Sequence, residues 1–397
     1  MSKPLRILTA IGPGDVVSAY RDWQKRVRTI SETSITFSSQ EFEFFADRGI
    51  AFWAIASHPD REIIVDGASK IENRPRFTTQ QIAGIKFHLV QGLYALSILG
   101  SALKFKATHA IVDSGTTHWF FLCLFRIFGI EVIPNFHNVY WPAGYPPKGA
   151  VRRLILTLDG LFFRYCVRSF LGVSPECGRQ IALLSNGPAR FFDYRAQFAR
   201  EDFGVLPRTV LAEPIRIMFA GRVEENKGVF DILKICEALE RKSSKAFVFE
   251  ICGTGGASAQ LQKEIEARGL AQRVVLRGKL IRPDLLAVYG RSHFVIVPTR
   301  SDFCEGLPMV CAEAVIAGRP VITSRLSNAL EALHGAVVEA REEDVDDYAA
   351  KIIEIVESPT RYEQLVARTA EVRAQFTDRA FGLEQVLQDC FFSKQPQ

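Results

Sequence analysis

Short β-branched and apolar runs alternate along the whole chain with longer stretches in which apolar residues recur every three or four positions. In the first half the short runs predict strands at Leu5–Thr9, Ser34–Phe37, Ile50–Ile55, Ala110–Asp113, Glu131–Pro134 and Leu171–Val173. Helices are expected between them near 17–29, 79–103, 116–128, 148–168 and 176–185. The second half repeats the scheme. Strands are expected at Ile215–Phe219, Phe247–Ile251, Val274–Arg277, Phe294–Val297, Pro320–Thr323 and Gly335–Val338. Helices should fall near 228–241, 257–268, 283–290, 308–317, 344–357, 359–373 and 378–391. Regular β–α alternation predicts the α/β class, with two doubly wound, Rossmann-like domains. The period is lost between Phe191 and Pro214. The expected division is therefore 1–198 for the first domain, 199–213 for a linker, 214–375 for the second domain and 376–397 for a C-terminal helical segment. Sheets of this kind bind ligands beyond the carboxyl ends of their strands, so the two domains should face a shared central cleft.

Composition narrows the class. The chain has 397 residues, 48% of them hydrophobic and 23% charged, enough to bury a core without metal or disulfide staples. Eight cysteines form no Cys-x-x-Cys pair and several sit in apolar runs, which fits buried thiols in a reducing compartment. The apolar run before Gly12-Pro13-Gly14 is too short for a signal-peptide core. Phe87–Leu103 carries no Asp, Glu, Lys or Arg, but it contains His88, Gln91 and Ser97 and reads as a buried helix rather than a membrane span. The expected location is the cytoplasm, with peripheral contact at the inner membrane face as an option.

The net charge of +5 hides an asymmetry. Residues 1–200 hold 24 Lys and Arg against 15 Asp and Glu, and the remainder holds 25 against 29. A basic first half suits an anionic surface or an acidic acceptor; plain solvated charge is the competing reading. Val151–Phe170 sets Arg152, Arg153, Arg164 and Arg168 among Leu, Ile and Phe. That is the pattern of a basic helix lying on an anionic membrane, or of a core helix with one wet face. No dense Lys/Arg cluster with interleaved aromatics points to nucleic acid.

The main candidate chemistry follows the strand at Phe294–Val297, in Pro298-Thr299-Arg300-Ser301-Asp302-Phe303-Cys304-Glu305-Gly306-Leu307-Pro308. Pro308 suits the first turn of a helix, and Gly306 permits close backbone approach to a ligand. A helix start there offers free N–H groups and a positive dipole end to a phosphate. Glu305 and Glu313 then bracket one ligand, one at a sugar and the other at a ribose hydroxyl. As plain structure, Glu305 would cap the helix and Glu313 would sit on a wet face.

A second cluster, Gly221-Arg222-Val223-Glu224-Glu225-Asn226-Lys227-Gly228, also joins a strand to a helix. Gly221 permits a tight exit from the strand, and Arg222 and Lys227 are cations suited to a diphosphate. Arg222 paired with Glu224 or Glu225 is the alternative. Weaker candidates are the Gly12/Gly14 loop, His137 with Asn138 to orient it, and Asp113-Ser114, all beyond expected first-domain strands. Gly253 and the segment Lys279-Leu280 would line a nucleotide pocket or simply make turns. Asp344-Val345-Asp346 opens a helix and reads as a cap rather than a metal site. No His/Cys/Asp cluster has metal-ligand spacing, so no metal is expected.

Taken together, Gly221-Arg222…Lys227-Gly228, the Glu305-x7-Glu313 motif and Gly318-x-Pro320-Val321 resemble the retaining glycosyltransferases of family 4, which have the GT-B fold. The resemblance implies a hexosyltransferase-type enzyme. It would move a sugar from a nucleoside-diphosphate sugar to a saccharide or lipid-linked acceptor, with no further cofactor, in polysaccharide or glycolipid assembly. It implies that Arg222 and Lys227 bind the diphosphate, Glu305 faces the donor sugar and Glu313 binds the ribose. The backbone of Gly306, Leu307 and Pro308 would hold sugar and phosphate. Gly12 and Gly14 would let the acceptor domain close, His137 would contact the sugar near its reacting carbon, and the C-terminal helix would cross back to the first domain. A non-catalytic nucleotide-sugar-binding protein of the same fold, or a nucleotide-sugar epimerase, fits the same motifs. Two departures stand out: the longer run Arg300–Cys304 before Glu305, and Ser324–Glu331 where the family usually has Gly-Gly and Pro-Glu.

Overall fold

The computed structural model describes residues 4–27, 33–76, 82, 84–204 and 206–393. The expected helical residues 28–29, 79–81 and 83 lie outside them. The first sheet contains β1 (Arg6–Pro13), β2 (Ala51–Ser57), β3 (Glu62–Asp66), β4 (Ser69–Arg74), β5 (His109–Asp113), β6 (Glu131–Phe136), β7 (Ser169–Gly172) and β8 (Arg190–Asp193). Its spatial order is β3-β4-β2-β1-β5-β6-β7-β8, all parallel except the β3–β4 hairpin. The helices of this half are α1 (Val16–Gln24), α2 (Phe37–Asp47), α3 (Ile85–Phe105), α4 (Cys123–Ile127), α5 (Ala150–Cys166) and α6 (Pro175–Ser185), with α7 (Arg200–Phe203) in the connection that follows β8. A 3-10 turn, Trp119–Leu122, precedes α4.

The second sheet holds β9 (Ile215–Ala220), β10 (Phe247–Cys252), β11 (Val274–Gly278), β12 (Phe294–Val297), β13 (Val321–Thr323) and β14 (Val337–Glu339), in the order β11-β10-β9-β12-β13-β14, all parallel. Around it lie α8 (Val229–Lys242), α9 (Ser258–Ala267), α10 (Arg282–Arg291), α11 (Met309–Ile316), α12 (Val345–Val356) and α13 (Pro359–Val372). The last helix, α14 (Leu383–Phe392), packs on α2, with Leu383 and Leu387 inside the first domain's core. This is the GT-B arrangement of two Rossmann-like domains.

In each sheet the chain starts at a central strand, winds to one side, then returns to the other. The switch falls between β1 and β5 in the first sheet and between β9 and β12 in the second. Crevices open at such points because the crossover helices diverge to opposite faces. The two switch points therefore dictate where a site forms.

Several expectations need correction. Ser34–Phe37 is not a strand. Ile35 makes one isolated bridge to Gln197, and Thr36 caps α2, its hydroxyl accepting from Ser39 N at 3.2 Å. The β-branched pair Ile35-Thr36 carries a strand signal, but Thr is also a strong N-cap. Gly12 and Pro13 belong to β1, which runs past Thr9, so no glycine loop opens there. The β3–β4 hairpin turns at Gly67, φ +54°, a conformation glycine adopts freely. α3 is buried on one face only: Ile98 and Ala102 are fully buried, whereas Leu89 and Leu93 are more than 60% exposed. No helix among the described residues is long and apolar enough to cross a membrane.

Between the sheets the connection is anchored by Arg319, which is 1% exposed. Its guanidinium donates to Tyr289 O and Pro207 O, both at 2.7 Å, and to Thr209 Oγ1 at 3.3 Å. Carbonyl and hydroxyl oxygens, rather than a carboxylate, thus hold a buried cation. Arg319→Ala strips these acceptors of their donor in a dry setting and should cost about 2–4 kcal/mol. Urea unfolding followed by circular dichroism measures this; a loss below about 1 kcal/mol would show that water replaces the side chain.

Candidate active site in the interdomain cleft

The cleft cavity has a volume of about 440 Å³ and takes its walls from both switch points. From the first domain come Gly12, Glu41, Asp113, His137 and Asn138; from the second come the consecutive residues Glu305–Met309.

On the second-domain side, Gly221, φ +153°, follows β9 and Pro298 follows β12. Gly228 lies so close to Pro298 that an added Cβ would sit 2.1 Å from its carbonyl oxygen. That approach brings Lys227 to Glu305. Lys227 Nζ lies 2.5 Å from Glu305 Oε2, and Thr299 donates to the same oxygen at 3.3 Å. Lys227 also stands 3.9 Å from the centre of the Phe303 ring, with the Arg222 guanidinium 5.6 Å from it. Arg222 is mostly exposed and pairs with Glu224 at 3.1 Å. Ion pairing thus holds Lys227 against Glu305, while Arg222 stands further out.

The long run before Glu305 is well anchored. Arg300 pairs with buried Asp231 of α8 at 2.6 Å, and Ser301 donates to Glu343 through both its N–H, at 2.8 Å, and its hydroxyl, at 2.6 Å. The unusual Ser324–Glu331 segment supplies Asn328. It adopts φ +57° and donates from Nδ2 to Glu305 O at 2.6 Å. Asn tolerates that left-handed backbone, which is why it can stand where glycine is common.

Pro308 is the N-cap of α11 and has no N–H to donate, so among the three residues expected to bind through backbone N–H groups only Gly306 and Leu307 qualify. Beyond them, the first turn of α11 presents Met309 and Val310, whose N–H groups have no acceptor within the helix. Glu305 does not cap this helix. Gly306 serves interdomain contact: a Cβ there would lie 2.0 Å from His137 O and 2.7 Å from Val173 Cγ2.

Glu313 does not share the cavity with Glu305. It is buried behind α11, where Tyr289 OH donates to it at 2.8 Å and Thr33 Oγ1, from the first domain, at 2.5 Å. Burial raises its carboxyl above the ordinary range against these two bonds. Neither a wet face nor a shared bracket describes it. Gly14 lies outside the cavity and donates its N–H to Ser57 O. Gly253 packs its backbone on Gly221, where a Cβ would fall 1.8 Å from the carbonyl oxygen. Lys279 and Leu280 follow the end of β11, away from this cavity. Asp344 caps α12, accepting from Asp347 N at 2.9 Å.

The first-domain wall is a closed polar network. His137 Nε2 lies 3.1 Å from Asp113 Oδ2, and His137 Nδ1 lies 3.3 Å from Tyr194 OH. Tyr194, fully buried, donates to Asn135 Oδ1 at 2.7 Å, and Asn135 donates to Asp113 Oδ1 at 2.8 Å. Asn135 Nδ2 also lies 3.3 Å from His137 Nε2, so both ring nitrogens sit within this network. Burial alone would lower the pKa of His137, but Asp113 overrides it and the net shift is upward. Asn138, expected to orient the ring, does not; Asp113, Tyr194 and the Phe37 ring, 4.8 Å away, do.

Sequence reading missed Glu41. It lies on α2 in the Phe37, Glu41, Phe44, Phe45 stripe, 2% exposed, and accepts from Thr9 Oγ1 at 2.8 Å. An acid on a Phe-lined helix face was the available signal. Burial, with the charge of Asp113 beside it, pushes its carboxyl well above the ordinary range.

Residues 208–372 match the family model described as "Glycosyl transferases group 1". The amylovoran biosynthesis glycosyltransferase AmsK of Erwinia amylovora is 28% identical over 153 residues, which cover 38% of this chain and 35% of that one. The chain spans about a third to two thirds of the lengths of the curated relatives it matches. Among solved structures, sucrose-phosphate synthase from Thermosynechococcus elongatus superposes with a TM-score of 0.71 at 14% identity, over 98% of this chain and 100% of the other. HepE from Anabaena, in complex with UDP and glucose, gives 0.64 at 15% identity over 98% and 100%. These likenesses show the fold.

A buried acid with a raised pKa holds its proton more tightly folded than unfolded. Its contribution to stability is complete below the unfolded carboxylate range and declines as pH rises toward the folded value. Glu41→Gln keeps an acceptor for Thr9 and removes that titration. Its melting temperature should match wild type at pH 4.5 and exceed it, by on the order of 2–4 °C, at pH 8.5. Equal pH dependence of the two proteins in differential scanning calorimetry would show that Glu41 is not a buried neutral acid.

Proposed function

We propose that this chain is a retaining, hexosyltransferase-type glycosyltransferase of family 4. It would move a sugar from a nucleoside-diphosphate sugar to a saccharide or lipid-linked acceptor in polysaccharide or glycolipid assembly. The observation that carries this reading is the cavity between the two domains, with Glu305, paired to Lys227, on one wall and His137–Asp113 on the other. The group 1 match over the second domain and the name of the amylovoran relative support it.

The chemistry follows from charge. The bond from the anomeric carbon to the diphosphate oxygen breaks, and its electron pair leaves with the diphosphate. In this reading Lys227, Arg222 and the α11 start would stabilise that charge, and no metal would be called on to balance it. Lys227 would share its pairing between Glu305 and the phosphate. Glu305 would face the sugar. A ribose hydroxyl would take the place of the Thr33 hydroxyl on Glu313. From the first-domain side the acceptor oxygen would bond to the anomeric carbon on the face the diphosphate leaves, and its proton would pass to the departing phosphate oxygen. His137, positively charged beside Asp113, would contact the sugar near the reacting carbon.

Turnover with UDP-, GDP- and ADP-sugars and a cell-lipid extract, with the product anomer read early by NMR, tests the reading. One donor should be consumed and its anomeric configuration kept. Lys227→Ala should lower kcat/KM by about 10²–10³, the loss typical of one preorganised donor to a developing charge. An inverted anomer would overturn retention; undiminished turnover by Lys227→Ala would overturn the site assignment. Sugar epimerisation without acceptor would replace the transferase reading.

A further inference from the structure

The first domain carries an apolar face that its own fold leaves uncovered. On α3, Ile85, Leu89, Leu93 and Leu96 follow helical spacing on the outer side, 50–79% exposed. On α5, Leu154, Leu161 and Tyr165 do the same at 49–60%. Ile127 and Phe128, at the end of α4, are 74% and 55% exposed. The helices lie side by side over one half of the first domain. All of them pack on the same side of the first sheet, in a core that joins Ile98, Phe125 and Phe163. The Trp119–Leu122 turn bridges α3 and α5: the Phe121 ring lies on Gly92, and Phe120 N donates to Asp159 of α5 at 2.9 Å.

Charge on this face has one sign. Residues 84–168 hold nine Lys and Arg and three acids. Two of the acids, Asp113 and Asp159, are buried, and Glu131 lies between His109 and Arg168. Arg153, Arg164 and Arg168 flank the apolar stripe of α5, and Lys86 and Lys104 that of α3, all exposed. A second copy of the chain seated here face to face would set cations against cations. An apolar stripe rimmed by cations instead complements a surface with anionic headgroups over hydrocarbon. Both helices have their N-terminal ends on the cleft side, since α3 leads into β5 and α5 follows the loop leaving β6.

We propose that the α3–α4–α5 face seats this protein on an anionic lipid bilayer, with the cleft mouth beside the headgroups. The inference does not rest on the sugar-transfer reading, because binding is measured without donor or acceptor.

Flotation with vesicles of phosphatidylcholine alone, and of phosphatidylcholine with 30% phosphatidylglycerol, tests it at 50 and 500 mM NaCl. Wild type should float with the anionic vesicles at low salt, and less at high salt. Arg153→Glu/Arg164→Glu should lower the partition coefficient by about 30-fold or more. Leu93→Asn/Leu154→Asn should lower it by about tenfold or more. These side chains are exposed, so melting temperatures should stay at the wild-type value and separate lost docking from lost folding. No flotation of wild type with anionic vesicles at low salt would overturn the proposal. So would equal flotation of the Arg153→Glu/Arg164→Glu protein, or a wild-type dimer in light scattering that Leu93→Asn/Leu154→Asn dissociates.

Discussion

A Cβ on Gly306 would lie 2.0 Å from the carbonyl oxygen of His137, so this contact between the domains admits no side chain. The approach brings the end of β6 against the loop that follows β12, and the rest of the cleft is arranged around it. On one side of the contact, His137 is fixed by Asp113 and Tyr194. On the other, Glu305 precedes Gly306 directly and is fixed by Lys227, Thr299 and Asn328. Glu305, held by Lys227, thus faces His137 and Asp113 across a small cavity because two backbones can touch. Packing of this density leaves few alternative positions for either pair.

The second domain was largely legible. Its strands agree with the expected runs to within two residues at each end, because buried parallel strands are rich in Val, Ile and Phe and most here adjoin a glycine or proline. Lys227, Glu305 and Gly306 stood out because they lie in the loops that follow two such runs. The first domain was harder to read. Ser34–Phe37 mimics a strand until Thr36 is read as a cap. The β3–β4 hairpin is half exposed, so its apolar signal is thin; only Asp66-Gly67 marks the turn. Glu41, Asn135 and Tyr194 come from α2, β6 and the segment after β8, and no local pattern reports that they converge. Asn328 stood in a segment that departs from the usual pattern, and its role depends on a left-handed backbone that spacing does not reveal.

Charge has two distinct uses in this fold. At the cleft, acids are buried and answered one by one, Glu305 by Lys227 and Asp113 by His137, and outside the cavity Glu313 is answered by two hydroxyls. Desolvated charges of this kind would cost several kcal/mol each without their partners. On the outer face of α3 and α5, cations stand in water beside apolar side chains, with no exposed acid between Gly84 and Arg168 to answer them. The excess positive charge of the first half, visible as a bare count in the sequence, is concentrated in a region with its own geometry.

Thermal unfolding of wild type and Arg222→Ala with UDP, GDP or ADP probes the donor site most directly. Arg222 is exposed and supports no core packing, so its loss should leave the ligand-free melting temperature unchanged. A donor site beside Lys227 and Glu305 predicts that one nucleotide stabilises wild type by about 2.7 kcal/mol at 100 times its Kd, and that Arg222→Ala weakens the shift. No shift with any of the three at millimolar concentration, or an equal shift in Arg222→Ala, would contradict that placement.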